Sequence, residues 1–156
     1  MAATIERIET NGVSVPVIFE SDARLPLVTM QLTFANSGSV TDAKKAGLAK
    51  FSAKLLSDGT KKLGSSAFAQ RLESKAIHLS SSTGTETFVL EVACLKEQFG
   101  EALEQMGALL NDPNYTQESI DKIKTMTLGS LSSKENDFDY IANNQLKAIL
   151  FEGSVL

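Results

Sequence analysis

The chain has 156 residues, a net charge of −4, 42% hydrophobic residues and 22% charged ones. That is enough for one domain with a real core, with the usage of an ordinary globular protein. No apolar run is long enough to cross a bilayer, and the start, Met1-Ala2-Ala3-Thr4, lacks the basic-then-apolar pattern of a secretory signal. A chain whose signal had been removed would begin the same way, so a bacterial periplasmic and a cytoplasmic location both stay open.

Residues 12–20 alternate, with Val13, Val15, Val17 and Phe19 on one side, which predicts a strand. Pro16 inside it points to an edge or a bulge. After the polar break at 21–24, residues 26–36 predict a second strand with Val28, Met30, Leu32 and Phe34 on one face. From Asp42 the period becomes helical. Leu48, Phe51 and Leu55 are expected to face a core, and Gly59 is a helix stop. Ser65 or Ser66 is a candidate cap for a second helix through about 75, with Phe68 and Leu72 inward.

Residues 77–83 and 85–95 predict two strands around Gly84, with Phe88, Leu90, Val92 and Cys94 on one face. The single cysteine, Cys94, cannot form an internal disulfide, and in this apolar run it is expected to be a buried, inert thiol. A third helix is expected over 97–110, with Phe99, Leu103, Met106 and Leu110 as its stripe and Asp112-Pro113 as its stop. Thr116 can cap a fourth helix carrying Ile120, Ile123, Thr127, Leu128 and Leu131. Asp137 can cap a fifth through about 151, with Phe138, Ile141, Leu146, Ile149 and Leu150 apolar. The order ββααββααα predicts an α+β, two-layer domain with helices on one face of a mostly antiparallel sheet. A two-layer domain would return another strand after that last helix, so the end at 153–156 is expected to be a truncation.

The charge is unevenly placed. Residues 1–42 sum to −3, residues 43–75 to +6 and residues 76–156 to −7. A basic stretch attracts acidic partners or forms a solvated lysine-rich face. With so acidic a remainder and no interleaved aromatic residues, nucleic-acid binding is not expected.

One stretch carries more than packing information. It runs Gly47-Leu48-Ala49-Lys50-Phe51-Ser52-Ala53-Lys54-Leu55-Leu56-Ser57-Asp58-Gly59-Thr60. Its frame resembles the zinc helix of the insulinase (pitrilysin) metallopeptidase family, Gly-Leu-Ala-His-x-x-Glu-His followed by two hydrophobic residues and Gly-Thr. The likeness extends over almost the whole chain. Gly38-Ser39 is similar to the Gly-Ser after the family's second strand, and Leu72-Glu73-Ser74-Lys75-Ala76 to its Leu-Glu-x-x-Gly, with alanine at the glycine. Ser80-Ser81-Ser82-Thr83 resembles the Asn-Ala-x-Thr strand, with Ser80 at the asparagine. Residues 109–113 and 120–124 resemble the paired helices that close this half of the fold.

By that resemblance the two histidine ligands fall on Lys50 and Lys54, the catalytic base on Ala53 and the third, glutamate ligand on Ser130. None of the four has the required chemistry. Zinc needs donors with a free lone pair at neutral pH, and a lysine ammonium has none. Lysine binds metal only where deep burial strips its proton. The only histidine, His78, stands alone in a strand and makes no zinc site. The sequence nominates no Ser-His-Asp arrangement, phosphate loop or Cys-x-x-Cys pair.

The resemblance therefore implies the N-terminal domain, spanning 1–156, of a metal-free and non-catalytic member, a fragment of a longer two-domain protein. No cofactor is expected in this chain, and zinc only in a partner. Family members enclose a peptide substrate in a chamber built from homologous domains, some pairing a zinc-bearing subunit with a zinc-free one. The implied partner is a homologous catalytic peptidase subunit bearing His-x-x-Glu-His, or a second copy of this chain. Lys50, Lys54 and Ser80 are the candidate substrate or partner contacts, and the solvated reading of the two lysines stands beside that. Two alternatives remain: a divergent peptidase working through other residues, and a purely structural subunit like the respiratory core proteins that share the fold.

Overall fold

The computed structural model describes residues 3–42 and 45–151. It contains strands β1 (Thr4–Thr10), β2 (Val13–Phe19), β3 (Leu27–Ala35), β4 (His78–Thr83) and β5 (Thr87–Leu95). The helices are α1 (Leu48–Leu56), α2 (Gly64–Glu73), α3 (Phe99–Asn111), α4 (Gln117–Lys134) and α5 (Phe138–Leu150). The α+β class is as the sequence predicts, and both sheets are antiparallel throughout. No helix among the described residues is long and apolar enough to cross a membrane. The expected break at 153–156 lies outside the described residues.

β3, β5 and β4 form one sheet in that order. Strand alternation divides it into two faces. Leu90, Val92 and Cys94 of β5 are buried, with Met30, Leu32, Leu79 and Phe88 packed around them. Ala102, Met106 and Leu109 of α3 and Phe68 and Leu72 of α2 close that layer. Burial pushes the Cys94 thiol up from its ordinary value, so it is protonated and unreactive. The opposite face carries Thr29, Gln31, Thr33, Glu91, Ser80 and Ser82 and, among the described residues, has no helix over it. There Gln31 donates to the Glu91 carboxylate.

The structure corrects several sequence expectations. β1 is an additional strand. Its isoleucines stand three apart, at Ile5 and Ile8, which hides the alternation. Asn11-Gly12 joins it to β2 as a two-residue hairpin turn, with both residues at positive φ (49° and 78°). Pro16 indeed lies in a two-stranded ribbon, where every strand is an edge. α2 starts at Gly64 without a side-chain cap, so neither Ser65 nor Ser66 caps it. The buried stripe of α3 is Ala102, Gln105, Met106 and Leu109, while Leu103 and Leu110 are exposed. α4 and α5 are capped as expected, by Thr116 accepting from the Ser119 N–H and Asp137 from the Tyr140 N–H. Ile120, Ile123 and Ile141 are half-buried, while Leu128, Leu131, Phe138 (86% exposed), Leu146, Ile149 and Leu150 stay open.

At the end of α2, Ile77 N–H donates to the Leu72 carbonyl, and Ala76 takes a left-handed conformation at φ 50°. This is the turn that glycine ordinarily ends. A β-carbon there costs about 1–2 kcal/mol, offset in part by the freedom glycine loses on folding. Ala76→Gly is therefore expected to stabilise the fold by about 0.5–1 kcal/mol, read as a higher urea midpoint at unchanged slope; a lower midpoint would contradict this.

α2 and α3 are tied by Glu101, which accepts from Arg71 (Nε at 3.0 Å and Nη2 at 2.9 Å) and pairs with Lys75 at 3.4 Å. The Arg71 hydrogen bond, aided by the charges of Lys75 and Arg71, holds the Glu101 carboxyl below the usual range. A depressed carboxylate contributes stability above its unfolded pKa and loses it as pH falls through its folded pKa. Acidification below the ordinary glutamate range should thus destabilise the wild type more than Glu101→Gln. Parallel stability–pH curves for the two would rule this out.

Candidate functional site

α1 is fixed at three points. At its start, Asp42 is buried, and its carboxylate accepts from Gly47 N–H at 2.8 Å and Ala49 N–H at 2.7 Å. That satisfies helix-end donors and places negative charge at the positive end of the helix. Gly47 enters the helix at φ 87°, a conformation that favours glycine. In the middle, Ser81 of β4 donates to the Ala53 carbonyl, and its hydroxyl lies 2.7 Å from that of Ser57. Ser81 N–H also donates to Ser57.

At its end, Asp58 is buried. Its carboxylate accepts from Lys122 Nζ of α4 at 2.7 Å and from Asn114 Nδ2 at 3.4 Å. Gly59 follows at φ 96°, where a β-carbon would lie 2.7 Å from the Gly64 carbonyl oxygen, so only glycine fits. The exit strand then pairs with the α3–α4 turn: Asn114 N–H donates to Gly59 and Lys61 N–H to Asp112, both at 2.9 Å. Thr60 is buried between Gly64 and Pro113. The Gly-Thr exit thus joins both inter-helix turns.

These anchors rotate α1 away from the sequence expectation. Its buried residues are Ala49, Ala53, Leu55 and Leu56, with Phe51 half-buried and Leu48 46% exposed. Lys50 and Lys54 are exposed one turn apart, the reverse of the burial that metal binding by lysine requires. Lys54 Nζ donates to Thr127 Oγ1 of α4 at 3.3 Å. Ser130 is exposed one turn further along α4. Since Asp58 meets Lys122 and Lys54 meets Thr127, α1 and α4 run antiparallel and Lys50 lies towards the Ser130 end.

Ser80 is elsewhere. It pairs with Glu91 on the helix-free face of the sheet, while its neighbour Ser81 faces α1. Lys50 and Lys54 share one face of α1; at the α1–α4 seam Lys54 meets Thr127 with Ser130 one turn beyond it, and Ser80 lies on the other side of the sheet. Sequence reasoning missed Asp42, Ser57, Ser81, Asp58 and Asn114, which hold the helix. The signal for Asp42 is an acidic residue shortly before a helix start; the others are joined only through the fold.

The residues at this seam do not fit zinc. Two ammonium groups and a serine hydroxyl offer no set of unprotonated donors. Among the described residues no three His, Cys, Asp or Glu side chains gather to hold a metal. Ala53 is only 3% exposed. A carboxylate there with no cation would be desolvated and unpaired, whereas a methyl group packs without penalty.

Anchor and seam residues should separate by stability. Asp58→Ala is expected to cost about 1.5–3 kcal/mol, through loss of charged hydrogen bonds, and Asp42→Ala about 0.5–2 kcal/mol. Lys50→Ala and Lys54→Ala should each stay within about 0.5 kcal/mol. Thermal or urea unfolding checks this, and lysine variants as costly as Asp58→Ala would refute the division.

The insulinase (peptidase M16) family model matches residues 16–155. A Helicobacter pylori (strain ATCC 700392 / 26695) protein described as "Non-peptidase homolog YmxG" is 43% identical over 155 residues, which is 99% of this chain and 36% of that protein. A solved structure, the peptidase M16 inactive domain from Pseudomonas fluorescens, superposes with a TM-score of 0.86 at 19% identity, over 97% of this chain and 37% of that one. The chain thus spans about a third of the length of each, and the second likeness is one of fold. With the family match covering most of its length, the chain belongs to the insulinase (M16) peptidase family.

Proposed function

We propose that this chain is a non-catalytic M16 domain that forms part of a substrate chamber and pairs with a homologous, zinc-bearing peptidase subunit. The observation that carries the reading is the anchored α1: its packing frame is intact while lysine, alanine and lysine occupy the positions of the ligands and base. In support, the Helicobacter relative is named a non-peptidase homolog and the solved Pseudomonas structure an inactive domain. The same reading makes residues 1–156 the first domain of a longer two-domain protein, in keeping with its share of those relatives' lengths.

The surface supports association. Ile5, Ile8, Ile18 and Phe19 on the hairpin and Phe138, Ile149 and Leu150 on α5 are all more than half exposed. Apolar surface of that extent marks contact with further protein. A lone two-stranded hairpin is also marginal in water and needs packing against something else. The other sheet face sets Gln31, Glu91 and Ser80 side by side among Leu27, Val89, Ala93 and Leu95. β4 is an edge of that sheet among the described residues, and an open edge can add an extended peptide through main-chain hydrogen bonds.

The test is a mixing experiment with peptide substrates. The purified protein alone should cleave none. Added to a homologous subunit with an intact His-x-x-Glu-His helix, it should raise that subunit's peptidase activity and co-elute with it. Cleavage by this protein alone, or a partner whose activity is indifferent to it, would refute the proposal.

A further inference from the structure

We infer that the α1–α4 seam, with Lys50 and Lys54 at its centre, is a docking site for carboxylates of an acidic peptide segment. The inference rests on the chamber-wall reading above and adds the chemical class of what the wall holds.

Four observations carry it. The two ammonium groups are exposed on one face of a helix that is fixed at both ends, so their spacing of one turn is set in advance. Among the described residues neither lysine ion-pairs with a carboxylate, whereas Arg71, Lys75 and Lys122 all do. Hydroxyl groups line the same seam. Thr127 accepts from Lys54, which leaves its own hydroxyl proton to donate, and Ser130 follows one turn on. Finally, the α1 side of the seam lies in the +6 stretch, whereas the rest of the chain sums to −10, so α1 is on the part of the sequence that favours an acidic partner.

Together these groups offer two cations and two neutral donors in a row and no acceptor charge. An extended segment with aspartate or glutamate side chains, or a terminal carboxylate, matches that row. A nucleic acid matches it less well, because the rest of the chain sums to −10 and would repel an extended phosphate backbone.

Fluorescence anisotropy with a short, labelled Asp/Glu-rich peptide, measured without any partner subunit, tests the inference. The acidic peptide should bind more tightly than neutral or lysine-rich peptides of equal length, and binding should weaken with salt. Lys50→Gln/Lys54→Gln should weaken binding about 3–10-fold, with Lys50→Glu/Lys54→Glu weakening it further. Lys61→Gln/Lys62→Gln makes the same change in net charge at the α1–α2 turn and should leave affinity unchanged within about twofold. Equal losses from both pairs of substitutions, or no preference for the acidic peptide, would overturn the inference. So would an oligonucleotide of matched charge that binds as tightly and depends equally on Lys50 and Lys54. Failure of the pairing proposal would appear only in the mixing experiment, which this assay does not include.

Discussion

The position of α1 depends above all on the Asp58 carboxylate at its exit. It is buried, so it must be paired. It finds Lys122 on α4 and Asn114 on the α3–α4 turn. Lys122 is half exposed, and a pair with one partner in water is seldom a large net gain. What it supplies is register: without Lys122 the buried Asp58 carboxylate loses its cation, which ties the end of α1 to one place on α4. Gly59 reinforces this, since the left-handed exit brings its backbone against Gly64 and no side chain can follow. Lys54 meets Thr127 as a consequence of that arrangement.

The packing and the chemistry of α1 use separable residues. Ala49, Leu55 and Leu56 face the core and Ser57 faces β4, and nothing about a metal is needed to keep them there. Lys50 and Lys54 face solvent, where the backbone tolerates histidine or lysine equally. Ala53 is the exception, being buried. There a carboxylate would need a cation beside it, and alanine removes that need. The family frame can therefore outlast its metal, and a fold match alone carries no information about catalysis.

Much of this was legible in the sequence because it rests on period and local chemistry. The alternation of Phe88, Leu90, Val92 and Cys94 gave the inward face of the central strand. Thr116 and Asp137 announced two helix starts as side-chain oxygens preceding helical runs. The hairpin strand β1 escaped because its isoleucines stand three apart, although Asn11-Gly12 is a turn signal. Leu48 and Leu103 were misplaced because an apolar residue at helical spacing does not say how the helix is rotated. That is set by distant anchors such as Asp58–Lys122. The same limit applies at the seam: the spacing of Lys50 and Lys54 was readable, but their approach to Thr127 depends on residues 73 positions apart in sequence.

We propose that this chain keeps the family's zinc helix as architecture, with Lys50, Lys54 and Ser130 side chains that do not fit the metal. Zinc quantification on the purified protein, after incubation with excess zinc and removal of unbound metal, tests it most directly. The account predicts far less than one zinc per chain, with the same thermal midpoint whether zinc or a chelator is present. One tightly held zinc per chain, lost together with stability on chelation, would contradict it.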